Sequence, residues 1–201
     1  AKDLYLMAIN RAIRKVNDGF HKYYFDIMDL IEDMVQKIVM EVHGTLKIEY
    51  EDKEKREEAL NKCLSKVFPT KHDDLIFAPN ITAFSMCPHH FLPVQYNITI
   101  GYIPLLNGGN AYAIGASKLE RISRILAARA ILQEDLTHEI ADILQKQLKT
   151  PSVAVLTSGI HGCMKFRGIR TQGSFEVSTL RGAFKENEAT RMEFLLLQKG
   201  R

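Results

Sequence analysis

The sequence predicts an α+β domain with an antiparallel sheet, preceded by a helical N-terminal region. Apolar residues recur at helical spacing before residue 44, and they alternate as in half-buried strands from about residue 75 to residue 103. Two further helical patterns separate this stretch from a second group of strands. Because helices and strands come in blocks rather than one by one, the sheet is expected to be antiparallel. We expect the helical region to cover residues 1–73 and the sheet domain residues 74–201.

The N-terminal region contains one clear amphipathic helix. Over residues 22–43 the apolar positions follow three- and four-residue steps, and Gly44 is expected to end the helix. These positions are Phe25, Met28, Ile31, Val35, Ile38 and Val42. Residues 4–17 are also compatible with a helix. The charged stretch 49–64 predicts a solvated helix in which Cys63 is a small apolar filler.

The sheet domain is expected to place two helices between groups of strands. Residues 75–86 and 94–103 are rich in β-branched and aromatic residues, and Asn-Gly-Gly at 107–109 marks a loop. Amphipathic patterns predict helices over 117–130 and 134–149. The remaining elements are expected to be strands at 153–160, 163–169 and 173–181 and a short helix at 189–197.

Composition and charge exclude some classes of function. The chain has 201 residues and a formal net charge of +3, which is too mild to predict nucleic-acid binding. No apolar run approaches the roughly 18 residues of a membrane span, so a membrane is not an expected partner either. The three cysteines, Cys63, Cys87 and Cys163, are odd in number and far apart. This pattern favours a reducing compartment, with the cytoplasm as the expected location, and a metal or catalytic role over a disulfide.

The stretch SMCPHHFLPV, residues 85–94, carries the first chemical signal. Cys87 and His90 are three residues apart, a spacing that can place a thiolate and an imidazole on one metal ion. Zinc takes about four ligands from Cys, His and carboxylate, and a catalytic zinc keeps one position for water. His89 points differently from His90 in an extended segment, so it is left for another role. Alone, this spacing is weak evidence, because a buried thiol beside a surface histidine gives the same pattern.

The stretch HGCMKFRG, residues 161–168, supplies the second half of the candidate site. In a strand its alternate side chains share one face. These side chains are His161, Cys163, Lys165 and Arg167. Cys163 then becomes a third ligand, which gives a Cys₂His set with an open position. Taken alone, Cys163 reads more simply as a buried core thiol, but its combination with the first stretch favours the metal.

Two helix starts carry candidate substrate-binding residues. Ser117 and the glutamate three residues later form the Ser-x-x-Glu pattern of a capping box. The same helix start carries Lys118 and Arg121 and is also a natural phosphate site, because free N–H groups and the helix dipole favour anions. Gln133 and Glu134 open the next helix. They are either ordinary first-turn polar residues or a pair that reads the donor and acceptor edge of a guanine.

Together these motifs resemble the GTP cyclohydrolase I family. The matching stretches follow the family's order and spacing from about residue 75 to residue 197: SMCPHHFLPV, IGYIP, IGASKLERI, LQEDLTHEIADILQ, HGCMKFRGIR and VSTLRGAF. The resemblance implies a tunnelling fold, usually assembled as a homodecamer of two face-to-face pentamers with sites at subunit interfaces. It also implies the conversion of GTP to 7,8-dihydroneopterin triphosphate and formate, the first step towards folate or tetrahydrobiopterin.

By motif position, the resemblance implies a role for each candidate site residue. Zinc would be held by Cys87, His90 and Cys163. His89 and His161 would be catalytic acid–base groups beside the imidazole ring of the purine. Ser117, also counted as catalytic, would face the ribose and triphosphate with Lys118, Arg121 and Arg167, and the guanine would meet Gln133 and Glu134. The chemistry agrees, because zinc makes a hydroxide available to attack C8 near neutral pH and protonation at N7 makes C8 electrophilic.

Two departures from the family's pattern leave alternatives open. Pro88 stands where the family usually has a glutamate, which removes a carboxylate and a backbone N–H. The family's Thr-Pro-x-Arg element is not recognisable before residue 73. The alternatives are a zinc-stabilised oligomer that binds nucleotide without turnover and an enzyme of the same fold that acts on another purine. The presence of both His89 and His161 favours an enzyme, because structure alone does not require two histidines that are not ligands.

Overall fold

The structure is a computed structural model that describes residues 50, 52–109, 111–166 and 169–199. The chain divides into two compact units, Ala1–Lys47 and Ile48–Arg201, and the described residues belong to the second. The helices expected at 4–17 and 22–43 therefore lie outside the described residues. The domain boundary expected after residue 73 stays a prediction.

The described residues form helices and strands in blocks, as the sequence predicts. In chain order they are α1 (Lys53–Leu64), β1 (Phe68–Thr70), β2 (Ile76–Cys87), β3 (Leu92–Tyr102), β4 (Ala111–Ala113), α2 (Ala116–Ala127), α3 (Gln133–Leu148), β5 (Val153–His161), α4 (Gly162–Lys165), β6 (Phe175–Leu180), α5 (Ala183–Glu186) and α6 (Glu188–Lys199). None of these helices combines the length and hydropathy needed to cross a membrane.

An antiparallel sheet of four strands, in the order β2-β3-β5-β6, forms the centre of this unit. The two helices α2 and α3 come between its strand pairs, which confirms the mixed architecture with an antiparallel sheet. In the register, Cys87 pairs with Leu92 on one side of β3, and His161 pairs with Val94 on the other. Because Leu92 and Val94 are two residues apart, Cys87 and His161 lie on the same face and at the same end of the sheet.

The main core lies between α2, α3 and the sheet face that carries Cys87. It includes the fully buried side chains of Tyr96, Ile98, Ile122, Leu136 and Ile140. A smaller cluster on the opposite face contains Phe184 and Phe194, whose rings meet edge-to-face with centroids 5.6 Å apart. Gly101 of β3 allows this packing, since a Cβ there would lie 2.7 Å from the Phe194 ring.

The charged stretch 49–64 forms α1, as predicted. Asp52 caps this helix by accepting a hydrogen bond from the backbone N–H of Lys55 at 2.9 Å. Cys63 is buried in the main core, which confirms its expected role as a small apolar filler.

Two local predictions are wrong. The strand expected at 163–169 is replaced at its start by the helical turn α4, where Phe166 N–H donates to the Gly162 carbonyl at 2.9 Å. The chain turns there because buried Gly162 packs against β3; a Cβ on it would lie 2.9 Å from the Pro93 carbonyl oxygen. The capping box is also absent. Gly115 is the N-cap of α2, so Ser117 lies inside the helix, and Glu120 pairs instead with Arg124 at 2.6 Å.

Candidate functional site

Two thiols and an imidazole meet at one end of the sheet. Cys87 ends β2, His161 ends β5, and Cys163 lies on α4 directly after β5. Each offers one ligand atom, and the three atoms lie within 4.8 Å of one another. The structure therefore brings together two of the predicted ligands, Cys87 and Cys163. Among the described residues, the histidine that joins them is His161, expected from the resemblance as an acid–base group, and not His90.

A tight turn joins β2 to β3 and carries the two adjacent histidines. The Phe91 N–H donates to the Cys87 carbonyl at 2.8 Å, and Phe91 has a left-handed backbone with φ of 53°. Pro88 follows Cys87 directly, where its fixed φ and missing N–H suit the start of a turn. His89 and His90 are both exposed, with ring centroids 6.4 Å apart. The Nδ1 atom of His89 lies 3.8 Å from the Cys87 sulfur, so His89 borders the thiols.

A buried glutamine forms a hydrogen bond with the imidazole of His161. Its Nε2 atom lies 2.8 Å from Oε1 of Gln133, the first residue of α3, and that side chain is only 1% exposed. The His161 ring also meets the rings of Tyr96 and Phe175 edge-on, with centroid distances of 6.1 and 6.0 Å. These contacts fix the plane of the His161 ring.

Burial sets the protonation of two groups in this region. It lowers the pKa of His161; the Glu134 carboxylate opposes this effect and His89 adds to it. The imidazole of His161 is therefore biased towards its neutral form. Burial also raises the pKa of the Tyr96 phenol, and the Cys87 thiol acts in the same direction. Tyr96 thus stays a neutral phenol over the whole physiological range.

The predicted anion-binding residues lie at the start of α2. Ser117 and Arg121 are exposed, and the Lys118 ammonium donates to the Lys66 carbonyl, between α1 and β1, at 2.7 Å. Burial raises the pKa of Cys63 beneath them, and the positive charges of Lys118 and Arg121 oppose that increase. Within one chain these groups therefore gather near α1. The fourth predicted phosphate ligand, Arg167, lies outside the described residues.

The two candidate purine-binding residues have different surroundings. Glu134 is exposed on the first turn of α3. It is close enough to His161 for its carboxylate to oppose the decrease in the pKa of the imidazole. Gln133 is buried, and its amide group is bonded to protein atoms. Neither this arrangement nor the contact of Tyr96 with His161 was expected from the sequence. One signal was present: Gly159 stands inside a strand, a place where glycine often marks the close approach of another group.

Comparison with known proteins agrees with the motifs. A family model described as GTP cyclohydrolase I matches residues 29–199. GTP cyclohydrolase 1 of Gloeobacter violaceus is 41% identical over 140 residues, which cover 69% of this chain and 62% of that protein. GTP cyclohydrolase 1 of Corynebacterium glutamicum is 41% identical over 138 residues, covering 68% of this chain and 69% of that protein.

A solved structure shows a weaker likeness. An archaeosine synthase QueF-Like, in its apo form, matches 52% of this chain and 90% of its own, with 16% identity and a TM-score of 0.38. The family assignment does not depend on that likeness. It depends on the family model, which spans most of the chain, and on relatives about 40% identical. The resemblance expected from the motifs is confirmed: the chain belongs to the GTP cyclohydrolase I family.

Proposed function

We propose that this chain is a zinc-dependent GTP cyclohydrolase I that converts GTP to 7,8-dihydroneopterin triphosphate and formate, on the way to folate or tetrahydrobiopterin. The observation that carries the proposal is the meeting of Cys87, His161 and Cys163 beside the start of α3. Packing of an apolar core does not require two thiols and one imidazole side by side. These groups bind metal ions and transfer protons.

The donor set fits zinc. Two sulfurs and an imidazole nitrogen are the ligands that zinc prefers, and three protein ligands leave a fourth position open. We propose Cys87, His90 and Cys163 as the ligands, since His90 lies three residues after Cys87 on the same turn, and we keep His161 for proton transfer. A bound zinc would supply Lewis acidity for the activation of water.

Two imidazoles border the thiols and can move protons during hydrolysis at C8 of the purine. Because burial lowers the pKa of His161, this imidazole is neutral for the most part near neutral pH and can accept a proton. His89 is exposed and lies 3.8 Å from the Cys87 sulfur, where it can exchange a proton with a substrate above the thiols. We propose that these two residues share the acid–base steps, including protonation at N7.

The substrate would be held at both ends. Lys118, Arg121 and Arg167 are proposed to bind the triphosphate, with Ser117 beside the ribose, because cations are the partners that phosphate oxygens prefer. Glu134 is proposed to contact the guanine, with Gln133 behind it, since the amide group of Gln133 is already bonded to protein atoms. If Arg167 binds phosphate, Arg167→Ala should weaken the binding of GTP much more than that of guanosine.

A homo-oligomer, of ten chains in the tunnelling fold, is proposed from the resemblance. Two observations support it. Strands β2 and β6 form the edges of the four-stranded sheet in the described part of the chain. Lys118 and Arg121 also lie at the start of α2, near α1, whereas it is the segment after the other end of α2 that bridges Met86, the neighbour of Cys87. A second chain could therefore complete the site. Light scattering that finds a monomer at micromolar concentration would contradict this proposal.

The three cysteines form no disulfide, which agrees with the cytoplasmic location that we propose.

The central experiment is incubation of the purified protein with GTP. We expect pterin fluorescence and formate to appear together. Cys163→Ala should abolish both products, whereas Cys63→Ala, a change at a buried cysteine away from the other two thiols, should retain them. Binding of GTP without either product would favour a nucleotide-binding oligomer, and formate without a pterin would mean that the rearrangement belongs to another enzyme.

A further inference from the structure

The amide group of Gln133 has only one possible orientation. Its Nε2 atom lies 2.9 Å from the Thr157 carbonyl oxygen and 2.8 Å from the Phe175 carbonyl oxygen. A carbonyl oxygen can only accept a hydrogen bond, so the atom facing both carbonyls must be the NH₂ nitrogen. The opposite orientation would bring the amide oxygen against two other oxygens in a buried place. Oε1 of Gln133 is therefore the atom that faces His161.

The neighbouring hydroxyls complete this network without leaving a polar atom unused. Thr137 Oγ1 donates to the backbone carbonyl of Gln133 at 2.6 Å. Thr157 Oγ1 can then donate to Thr137 Oγ1 at 2.8 Å. Thr157 Oγ1 also lies 3.0 Å from Nε2 of Gln133, where it shares one of the two amide hydrogens with the Thr157 carbonyl. All three side chains are buried. A buried network in which each member is satisfied is rigid, because any rotation leaves a polar group without a partner.

The orientation of Gln133 determines where His161 carries its proton. Oε1 can only accept, and it lies 2.8 Å from Nε2 of His161, so that nitrogen must be the donor. We propose that Gln133 is a positioning residue that fixes neutral His161 as the Nε2–H tautomer and leaves Nδ1 as its one basic atom. Any proton that His161 takes or gives during hydrolysis then passes through Nδ1, while the Nε2–H bond stays intact. The inference deepens the proposed function and rests on it only for the identity of the reaction.

Gly159 makes this contact possible. A Cβ at that position would lie 2.2 Å from Oε1 of Gln133 and 3.0 Å from Nε2 of His161. No side chain fits there while the hydrogen bond exists. Gly159→Ala should therefore displace Gln133 from His161 without removing a polar group, which makes it an independent perturbation of the same bond.

The test reads the tautomer directly from the nitrogen chemical shifts of the His161 ring. Histidine is isotope-labelled in the protein as it is purified, without GTP, and the His161 signals among those of the seven histidines are identified from their loss in His161→Asn. At a pH above the imidazole pKa we expect a protonated Nε2 and an unprotonated Nδ1. In Gln133→Met and in Gly159→Ala the two shifts should move towards a mixture of tautomers. Ser158→Ala is the matched control on the same strand, since Ser158 bonds Glu176 on the other face of the sheet.

Steady-state kinetics provides a second readout. Loss of the fixed tautomer should lower kcat for GTP by about tenfold or more, a part of the 10²–10⁴-fold that an acid–base group contributes, with KM changed by less than about threefold. Increased KM with an unchanged tautomer would mean that Gln133 reads the guanine and would overturn the inference. So would a wild-type spectrum with the proton on Nδ1, a result that does not depend on whether a variant folds. A wild-type protein that has the expected tautomer but no turnover would instead contradict the proposed function alone.

Discussion

Replacing Tyr96 by phenylalanine removes one buried hydroxyl and little else. Tyr96 is 0% exposed, and its oxygen has no hydrogen-bond partner in the described part of the chain. The nearby Ser85 hydroxyl lowers the pKa of the phenol against the larger effect of burial. Ser85 forms no hydrogen bond with Tyr96 and donates to the Arg129 carbonyl at 2.9 Å. The edge-on contact with His161 needs only the ring.

The expected effect is a more stable protein. A buried polar group without a partner costs about 1–3 kcal/mol. The void left by one oxygen atom is smaller than that of a methyl group, which costs about 1 kcal/mol. Tyr96→Phe should therefore raise the free energy of unfolding by about 1 kcal/mol. For a chain of this size that is an increase in Tm of about 2–4 °C.

Scanning calorimetry at one fixed protein concentration measures this change, since the Tm of an oligomer depends on concentration. Tyr102→Phe is the matched control: Tyr102 is equally buried, but its oxygen accepts a hydrogen bond from the Ile114 N–H at 3.2 Å. Its loss should lower stability by about 1–3 kcal/mol, because a buried N–H is left unpaired. If Tyr96→Phe lowered the Tm as Tyr102→Phe does, the Tyr96 hydroxyl would have a partner in the folded protein and our reasoning would be wrong.

Three further predictions concern the metal, the protons and the pH. Metal analysis should find about one zinc per chain in the wild type and in Cys63→Ala but not in Cys163→Ala, and full zinc in the last variant would refute the ligand assignment. His90→Ala should lose zinc and turnover together. His89→Ala should retain zinc and GTP binding, but its kcat should fall by about 10²–10⁴-fold. An unchanged kcat in His89→Ala would show that His89 has no part in the mechanism. Burial raises the pKa of Tyr96 above that of the unfolded chain. The phenol is therefore neutral in both states below pH about 10, and its ionisation in the unfolded chain lowers the free energy of unfolding as the pH rises further. Thermal melts in alkaline buffer should show a smaller decrease for Tyr96→Phe, and parallel curves for both proteins would contradict the assigned pKa shift.

Elements with a strong local pattern could be predicted from the sequence. The apolar face of α3 predicts a helix over 134–149, and the helix spans Gln133–Leu148. The alternation in QYNITIGYI predicts a strand at 94–103, and β3 spans Leu92–Tyr102. The alternation in HGCMKFRG is just as regular, yet it begins with a helical turn. That turn depends on Gly162 packing against β3, which belongs to a distant part of the sequence.

The candidate site shows the same division between local and distant information. Cys87 and Cys163 could be found because thiols beside histidines are rare and chemically distinctive. The burial of Gln133 could not be predicted, because a Gln-Glu pair at a helix start is normally solvated. Its partners Thr157 and Phe175 are 24 and 42 residues away along the chain. No periodicity within α3 contains that information.

The position of the two thiols in distant parts of the chain has a consequence for how the protein folds. Cys87 ends β2 and Cys163 follows β5 directly, and these two strands are joined only through β3, so both strand pairings must form before the thiols meet. Contacts between residues far apart in the chain close late, because the entropy of loop closure opposes them. A metal ion that needs the finished geometry is therefore absent from the transition state. The proposed zinc should therefore slow unfolding and leave the folding rate unchanged, so that it would protect the native state without helping the chain to reach it.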